Sequence, residues 1–191
     1  FTADLADDDA TCRLAAEVTE RIGTITILVN NAGPFGDTPF LELDSDEWDR
    51  IVGANLKAPF LLARELVAGM RAQGFGRIIN VGATSSLVRS HSVYGLAKAA
   101  LIHLTESLAL ECAPEITVNA VVPSQIASAR TDTMPTYKAA AIGATPLGRL
   151  VTEQEIADLV VQLCEPTFDF MTGRAIVLDG GRTLPRFPRL G

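Results

Sequence analysis

The chain has 191 residues, of which 48% are hydrophobic and only 20% are charged, so it can form one domain with a substantial core and is not disordered. Its formal net charge of −7 argues against a general nucleic-acid binder and against a basic protein of membrane surfaces. No uninterrupted apolar run approaches the roughly 18 to 20 residues of a membrane span. We therefore expect neither nucleic acid nor a membrane among its partners.

The beginning of the chain predicts a strand end, a helix and a second strand. Residues 1–5 resemble the end of a strand, and residues 7–22 have helical apolar spacing, with Asp7 as the expected N-cap. Residues 25–29 form a short apolar, β-branched run suited to a parallel strand that is buried on both faces. The polar turn 30–34 then follows at the carboxyl end of that strand, the edge at which open α/β sheets bind ligands.

A long helical stretch follows from residue 45 to residue 73. Asp44 and Glu47 predict a capping box at its start. The apolar spacing that follows predicts four inward side chains: Trp48, Ile51, Val52 and Leu56. Pro59 should bend or restart this helix, since proline removes a backbone donor. The next strand is predicted at residues 77–81.

The second half of the chain continues the alternation of helices and strands. A helix carrying Tyr94 should run to about Cys112, followed by a strand at 116–122. The alanine-rich insertion 127–148 is typical of a mobile lid and could contain a short helix. Thr152 and Glu155 predict a capping box at the start of another helix, which ends near Cys164. A last strand is predicted at 175–178, and the tail 182–191 should be an extended arm.

Strands that alternate with helices, without hairpin signals, predict parallel pairing with right-handed crossovers. The expected fold class is therefore α/β, a doubly wound, Rossmann-like parallel sheet in a single domain.

The cysteines Cys12, Cys112 and Cys164 are far apart and odd in number. This pattern fits neither a disulfide framework nor a metal site, so it predicts small buried thiols in a reducing, cytoplasmic compartment. His91 and His103 are likewise too isolated to form a metal site.

Tyr94 and Lys98 lie four residues apart, so a helix would place both side chains on one face. An ammonium beside a phenol favours the phenolate and lowers a pKa that is about 10 when unperturbed. A tyrosine tuned in this way can exchange a proton near neutral pH, as the interconversion of a carbonyl and an alcohol requires. The same spacing also occurs by chance on helices with one hydrated face.

The chain resembles the short-chain dehydrogenase/reductase family, particularly its 3-oxoacyl-acyl-carrier-protein-reductase-like members. The resemblance covers residues 1–181, and its markers occur in the family's order: Asp4-Leu5, Asn30-Asn31-Ala32-Gly33, Asn55, Arg77-Ile78-Ile79-Asn80-Val81, Tyr94 with Lys98, Val118-Asn119-Ala120-Val121-Val122-Pro123, and Asp179-Gly180-Gly181. It implies an oxidoreductase that transfers a hydride between NADP or NAD and a carbonyl or alcohol substrate. A homotetramer or homodimer assembled through residues 45–73 and 94–112 is also implied.

The resemblance implies a role for each matching residue. Tyr94 would donate a proton during ketone reduction, and Lys98 would lower its pKa and hold the nicotinamide ribose hydroxyls. Asn55 would anchor a water that links the lysine to solvent. The further cofactor-binding residues implied are Asp4, Leu5, Asn31, Ala32, Gly33, Pro123, Ile126 and Ser128. A plain strand end, a βα turn and structural contacts of the lid are the alternatives for these positions.

The chain departs from the family in three ways. The family's T-G-x-x-x-G-x-G phosphate loop does not occur in this sequence. We therefore expect residues 1–181 to be the C-terminal three-quarters of the family's domain. Ala83 occupies the expected position of the catalytic serine, and Ser85, among the neighbours Thr84, Ser85 and Ser86, is the predicted replacement. Ser124 replaces a glycine after Pro123, so the nicotinamide loop could sit differently.

Two other functions are weighed against an active oxidoreductase. Ala83 and Ser124 motivate a catalytically weak, dinucleotide-binding relative with a structural or regulatory role. An unrelated nucleotide binder of the flavodoxin or GTPase type has little support, because no phosphate-loop or flavin-loop signature is visible. His91, just before Tyr94, could line the substrate entrance or simply lie at the surface. The sequence does not choose between NAD and NADP.

Overall fold

The computed structural model describes residues 1–88 and 92–185. Its strands are β1 (Ile27–Asn30), β2 (Gly76–Val81), β3 (Ile116–Pro123), β4 (Ile126–Ala127), β5 (Val151–Thr152) and β6 (Ala175–Leu178). Four of them form one sheet in the spatial order β1-β2-β3-β6, while β4 and β5 form a separate ladder. Every ladder is parallel, which confirms the predicted doubly wound, Rossmann-like fold.

Helices pack on both faces of the four-stranded sheet, although one face of β1 stays uncovered. The α-helices of the described residues are α1 (Asp8–Ile22), α2 (Ser45–Val52), α3 (Ala58–Ala72), α4 (Val93–Cys112), α5 (Ala129–Asp132), α6 (Pro135–Gly143) and α7 (Glu153–Gln162). Helices α1, α3 and α4 bury Ala15, Leu66 and Cys112 around Ile78 of β2. On the other face, α7 buries Ile156 with Ile79 of β2. Neighbouring residues of β2 therefore point into two different cores.

Side-chain caps fix several helix starts as the sequence predicts. Asp7 accepts a hydrogen bond from the Ala10 amide, and Thr152 forms the predicted capping box with Glu155. The second predicted capping box is only half present. Asp44 accepts from the Glu47 amide at 2.7 Å, but the Glu47 carboxylate accepts from the Thr38 hydroxyl rather than from its own helix.

The predicted bend near Pro59 is a π-helical turn, Gly53–Lys57, that joins α2 to α3. Pro59 lies in the first turn of α3, directly after this turn, so its missing N–H falls where the α-helical ladder is already interrupted. The inward prediction holds for Ile51, which is fully buried, but it is wrong for Trp48, which is 39% exposed. The short helix α2 buries fully only Ile51, so the apolar spacing overestimates its buried face.

Strand β1 is an edge strand, and the prediction that it is buried on both faces is wrong. Ile27 and Val29 are 43% and 41% exposed, because within the described residues no strand pairs with the outer side of β1 and no helix covers that face. The strand predicted at residues 1–5 is also absent. A turn replaces it, in which the Asp4 carboxylate accepts from the Ala6 amide.

The segment predicted as a lid, 127–148, folds into the two short helices α5 and α6. The described beginning of the C-terminal tail turns back rather than extending, since the Leu184 amide donates to the Gly181 carbonyl. The rest of the tail, 186–191, and the segment 89–91 lie outside the described residues. Across the described helices, none has the length and apolar character needed to cross a bilayer.

Candidate active site

Tyr94 lies in the first turn of α4, at the carboxyl edge of the sheet. The Ser92 hydroxyl caps this helix by accepting from the Gly95 amide. The Tyr94 side chain is partly buried, and its ring meets the edge of the Phe35 ring with 5.1 Å between ring centroids. Phe35 belongs to the loop that follows β1, so this contact brings two distant parts of the chain to one phenol.

Lys98 lies one turn after Tyr94 and is only 4% exposed. Its Nζ donates a 2.8 Å hydrogen bond to the carbonyl of Val81, the last residue of β2. Nζ lies 5.6 Å from the centre of the Tyr94 ring. Burial lowers the pKa of Lys98 from 10.5 to about 8, because the ammonium has lost much of its hydration.

The structure does not show the lowered pKa that the sequence predicts for Tyr94 beside Lys98. Burial raises the pKa of Tyr94 above its ordinary value, and the charge of Arg130 partly opposes that rise. Desolvation dominates because the phenolate would have to form in a partly apolar pocket, while the Lys98 ammonium is directed at a backbone carbonyl. The phenol is therefore neutral at neutral pH and is suited to donate a proton.

A buried polar chain that the sequence reading missed joins β1, β2 and α4. The Asn30 amide donates to Asn80 Oδ1 at 2.8 Å, and the Asn80 amide donates to the Thr105 hydroxyl at 2.9 Å. Thr105 in turn donates to the Leu101 carbonyl. These bonds fix the ends of two strands against the helix that carries Tyr94 and Lys98. Asn30 adjoins the predicted site residue Asn31 and Asn80 belongs to one of the family's markers, but their pairing depends on strand register.

Asn55 is buried in the π-helical turn and braces the loop after β1. Its amide donates to the carbonyls of Pro34 and Ile51, at 2.9 and 3.0 Å. Its Oδ1 is buried without a partner among the described residues. A Cβ on Gly33 would collide with this oxygen, so glycine is required there for packing against Asn55.

Ser85 faces a cavity of about 550 Å³. Its hydroxyl and the Gln125 side-chain carbonyl are both buried without a hydrogen-bond partner among the described residues, and both side chains line this cavity. Ser86 differs, because its hydroxyl donates to the Ala83 carbonyl at 2.7 Å. Of these two neighbouring serines, only Ser85 therefore presents an unused hydroxyl to the cavity.

Three of the predicted cofactor-binding residues, Leu5, Asn31 and Ala32, line a second cavity of about 290 Å³ between β1, α1 and α3. Most of its lining is apolar side chain from α1, β1 and α3. Asp4 lies outside this lining and is exposed. This cavity is an uncovered part of the apolar core as much as a place for a ligand.

The remaining predicted cofactor residues follow one another at the carboxyl end of β3. Pro123 ends the strand, Ile126 lies in β4, and Ser128 caps α5 in a capping box with Thr131. Ser124, which stands where the family has a glycine, does not adopt a left-handed backbone, since no described residue other than glycine has a positive φ. His91 lies outside the described residues, and no group of side chains among the described ones could hold a metal ion.

The open, parallel α/β sheet places this chain in the Rossmann-like class of proteins, and Tyr94 and Lys98 lie at the carboxyl edge where that class binds its ligands. A family model described as Enoyl-(Acyl carrier protein) reductase matches residues 1–183. The chain belongs to the short-chain dehydrogenase/reductase family, whose members are NAD(P)-dependent oxidoreductases.

Individual relatives agree with this assignment. The acetoacetyl-CoA reductase of Allochromatium vinosum is 33% identical over 95% of this chain and 75% of its own length. The 3-oxoacyl-acyl-carrier-protein reductase of Vibrio harveyi is 35% identical over 86% of this chain and 69% of its own length. A solved gluconate 5-dehydrogenase from Burkholderia cenocepacia, in complex with NADP and tartrate, superposes with a TM-score of 0.88 at 28% identity, covering 96% of this chain and 74% of that one.

The family's cofactor, NADP or NAD, is compatible with the residues around Lys98. A lysine ammonium carries three N–H donors. Among the described residues Lys98 uses one of them, on Val81, so two remain for ligand hydroxyls.

Proposed function

We propose that this chain interconverts a carbonyl and an alcohol, with Tyr94 as proton donor in the reductive direction and proton acceptor in the oxidative direction. Bound NADP or NAD supplies or accepts the hydride. The observation that carries the proposal is the partly buried phenol of Tyr94 one helical turn before the buried Lys98. Because burial raises the pKa of Tyr94, its phenol holds its proton more firmly, as a proton donor in the reductive direction requires.

The other residues of the site bind the substrate or the cofactor. The unused hydroxyl of Ser85 donates a hydrogen bond to the substrate oxygen. Ser85 thereby replaces the family's catalytic serine, whose position Ala83 occupies. Lys98 donates to the ribose hydroxyls and Asn55 anchors a water beside it. The backbone and small side chains of Asn31, Ala32 and Gly33 flank the adenosine side, with Asp4 and Leu5 beyond them. Pro123, Ile126 and Ser128 flank the nicotinamide side.

The test is loss of nicotinamide absorbance when the protein is mixed with NADPH or NADH and a panel of ketones. Tyr94→Phe removes the exchangeable proton and should lower kcat by at least about 100-fold. Tyr137→Phe is the matched control, since Tyr137 is the other tyrosine of the chain and is exposed on α6. Undiminished turnover by Tyr94→Phe would contradict the assigned proton path.

Ala83 favours one second function, a catalytically weak relative that binds the dinucleotide without turnover. The two functions differ in a simple measurement. Saturable binding of NADPH without oxidation by any ketone of the panel supports the weak relative, whereas turnover that depends on Tyr94 supports the enzyme.

We also propose that copies of this chain associate as a homotetramer or homodimer in the cytoplasm. Support comes from apolar side chains exposed on two long helices: Phe60 on α3, and Leu96 and Leu110 on α4. The three cysteines are free, as a reducing compartment requires. Sedimentation equilibrium measures the assembly, and a monomer at micromolar concentration would contradict it.

A further inference from the structure

The surface in front of Tyr94 carries a positive charge that the sequence did not point to. The guanidinium carbon of Arg130 lies 5.1 Å from the centre of the Phe35 ring. The Phe35 ring centre lies 5.1 Å from that of Tyr94. The two contacts in series place the guanidinium no farther than twice 5.1 Å from the phenol ring.

This charge has no counterpart in the described part of the chain. No carboxylate among the described residues forms an ion pair with Arg130, although the chain carries a net charge of −7. The nearest carboxylate along the chain, Asp132 of the same helix, is bound instead to Lys138 Nζ at 2.6 Å. The Arg130 side chain is exposed, so an anion can reach it.

The backbone beneath Arg130 is fixed before any ligand binds. Ser128 and Thr131 form a reciprocal capping box around it, and the Thr133 hydroxyl donates to the Arg130 carbonyl at 2.8 Å. The Phe35 ring supports the guanidinium from one side through a cation–π contact. A guanidinium held in this way loses less conformational entropy when it binds a ligand.

We propose that Arg130 binds a carboxylate of the substrate, so that the chain acts preferentially on keto acids and hydroxy acids. This inference rests on the proposed function of Tyr94. A planar guanidinium binds a carboxylate through two parallel hydrogen bonds, which fixes the orientation of the bound molecule as well as its position. The ketone carbon would then face Tyr94 while the carboxylate lies against Arg130, above Phe35.

A phosphate group of the dinucleotide is the other anion that could reach Arg130. The contacts favour the substrate, because Phe35 connects Arg130 to the ring of the proton donor itself. Support of the cofactor is therefore an outcome of the test that would overturn the proposal.

The test compares levulinate with its methyl ester, in which a methyl group replaces the negative charge of the carboxylate. The measured quantity is the ratio of their kcat/KM values for the wild type and for Arg130→Met. We expect a wild-type preference for levulinate that falls by about 10- to 100-fold in the variant, as the loss of a hydrogen-bonded charge pair predicts. Arg13→Met, at an exposed arginine of α1, is the matched control and should keep the wild-type ratio.

A binding experiment keeps this proposal separate from the proposed function. Calorimetry measures the Kd of levulinate and of its ester without any need for turnover. A preference for levulinate that Arg130→Met removes supports the anion site even if no ketone is reduced. An unchanged ratio in Arg130→Met, or a variant whose only defect is weaker NADPH binding, overturns it while leaving the role of Tyr94 intact.

Discussion

Strands β1 and β2 are neighbours in the sheet, but they have very different surroundings. Every residue of β2 is buried, because the strand lies between β1 and β3 and helices cover both of its faces. In β1, Ile27 and Val29 remain about two-fifths exposed. The two strands have similar apolar sequences, so the difference comes from their neighbours rather than from their residues.

The residues proposed for catalysis are held by β2, the strand whose two faces are both covered. Lys98 is anchored on the last carbonyl of β2, and Asn80 of the same strand is bonded to α4 through Thr105. The residues proposed for the adenosine side, such as Leu5 and Ala32, line a cavity at the open edge. Proton transfer requires fixed distances, and the chain provides them where the sheet is closed on both faces.

The largest effect is expected when one apolar residue on each strand is truncated to alanine. Val29 and Ile79 are paired in register, but Ile79 is fully buried. Ile79→Ala should lower the free energy of unfolding by about 2 to 5 kcal/mol, because it leaves a cavity in a closed core. Val29→Ala should cost less than about 1 kcal/mol, since its side chain is already partly in water. Urea unfolding of both variants measures the difference, and equal losses would mean that β1 is covered in solution.

The second effect concerns Ser85, which lines the cavity of about 550 Å³. Ser85→Ala should lower kcat for ketone reduction by about 100- to 1,000-fold, the usual cost of losing one donor to a developing oxyanion. Ser86→Ala is the control, because the hydroxyl of Ser86 is bonded to Ala83. Equal activity of Ser85→Ala and wild type would contradict the role of Ser85 and favour the second function, that of a catalytically weak relative.

The third and smallest effect is a pH dependence from Lys98. Burial lowers the pKa of Lys98 from 10.5 to about 8, so its ammonium is present below that pH and is lost as the pH rises through it. The kcat/KM for reduction should therefore be level below about pH 8 and fall about tenfold per unit above it. Lys98→Arg, whose charge persists to higher pH, should move this decline to higher pH. A profile that stays level to pH 10 in the wild type would exclude a role for the ammonium.

Local patterns were sufficient to predict most elements of this fold. The capping residues Asp7 and Thr152 and the β-branched run of β6 gave starts and ends that agree with the structure within a residue or two. The failures share one cause, which is that they depend on partners. Residues 1–5 could form a strand only beside another strand. The burial of Trp48 depends on how much of the rest of the protein packs against α2.

The candidate site was predictable in position but not in its electrostatics. The spacing of Tyr94 and Lys98 correctly places both at one helix face, but desolvation, which raises the pKa of Tyr94, depends on the packing around it. Arg130 carries no motif, and its contact with Phe35 joins residues that are far apart in sequence. Charges brought together only by the fold have no local sequence signal.

The π-helical turn Gly53–Lys57 has a consequence for how this helix tolerates change. It holds one residue more than an α-helical turn needs, and that extra residue sets the rotation between α2 and α3. Deleting one residue there would give a more regular helix. The deletion would also rotate everything before it by about 100°, and Asn55 would swing away from the Pro34 carbonyl. A more ideal helix would thus be a worse support for the loop that carries Phe35.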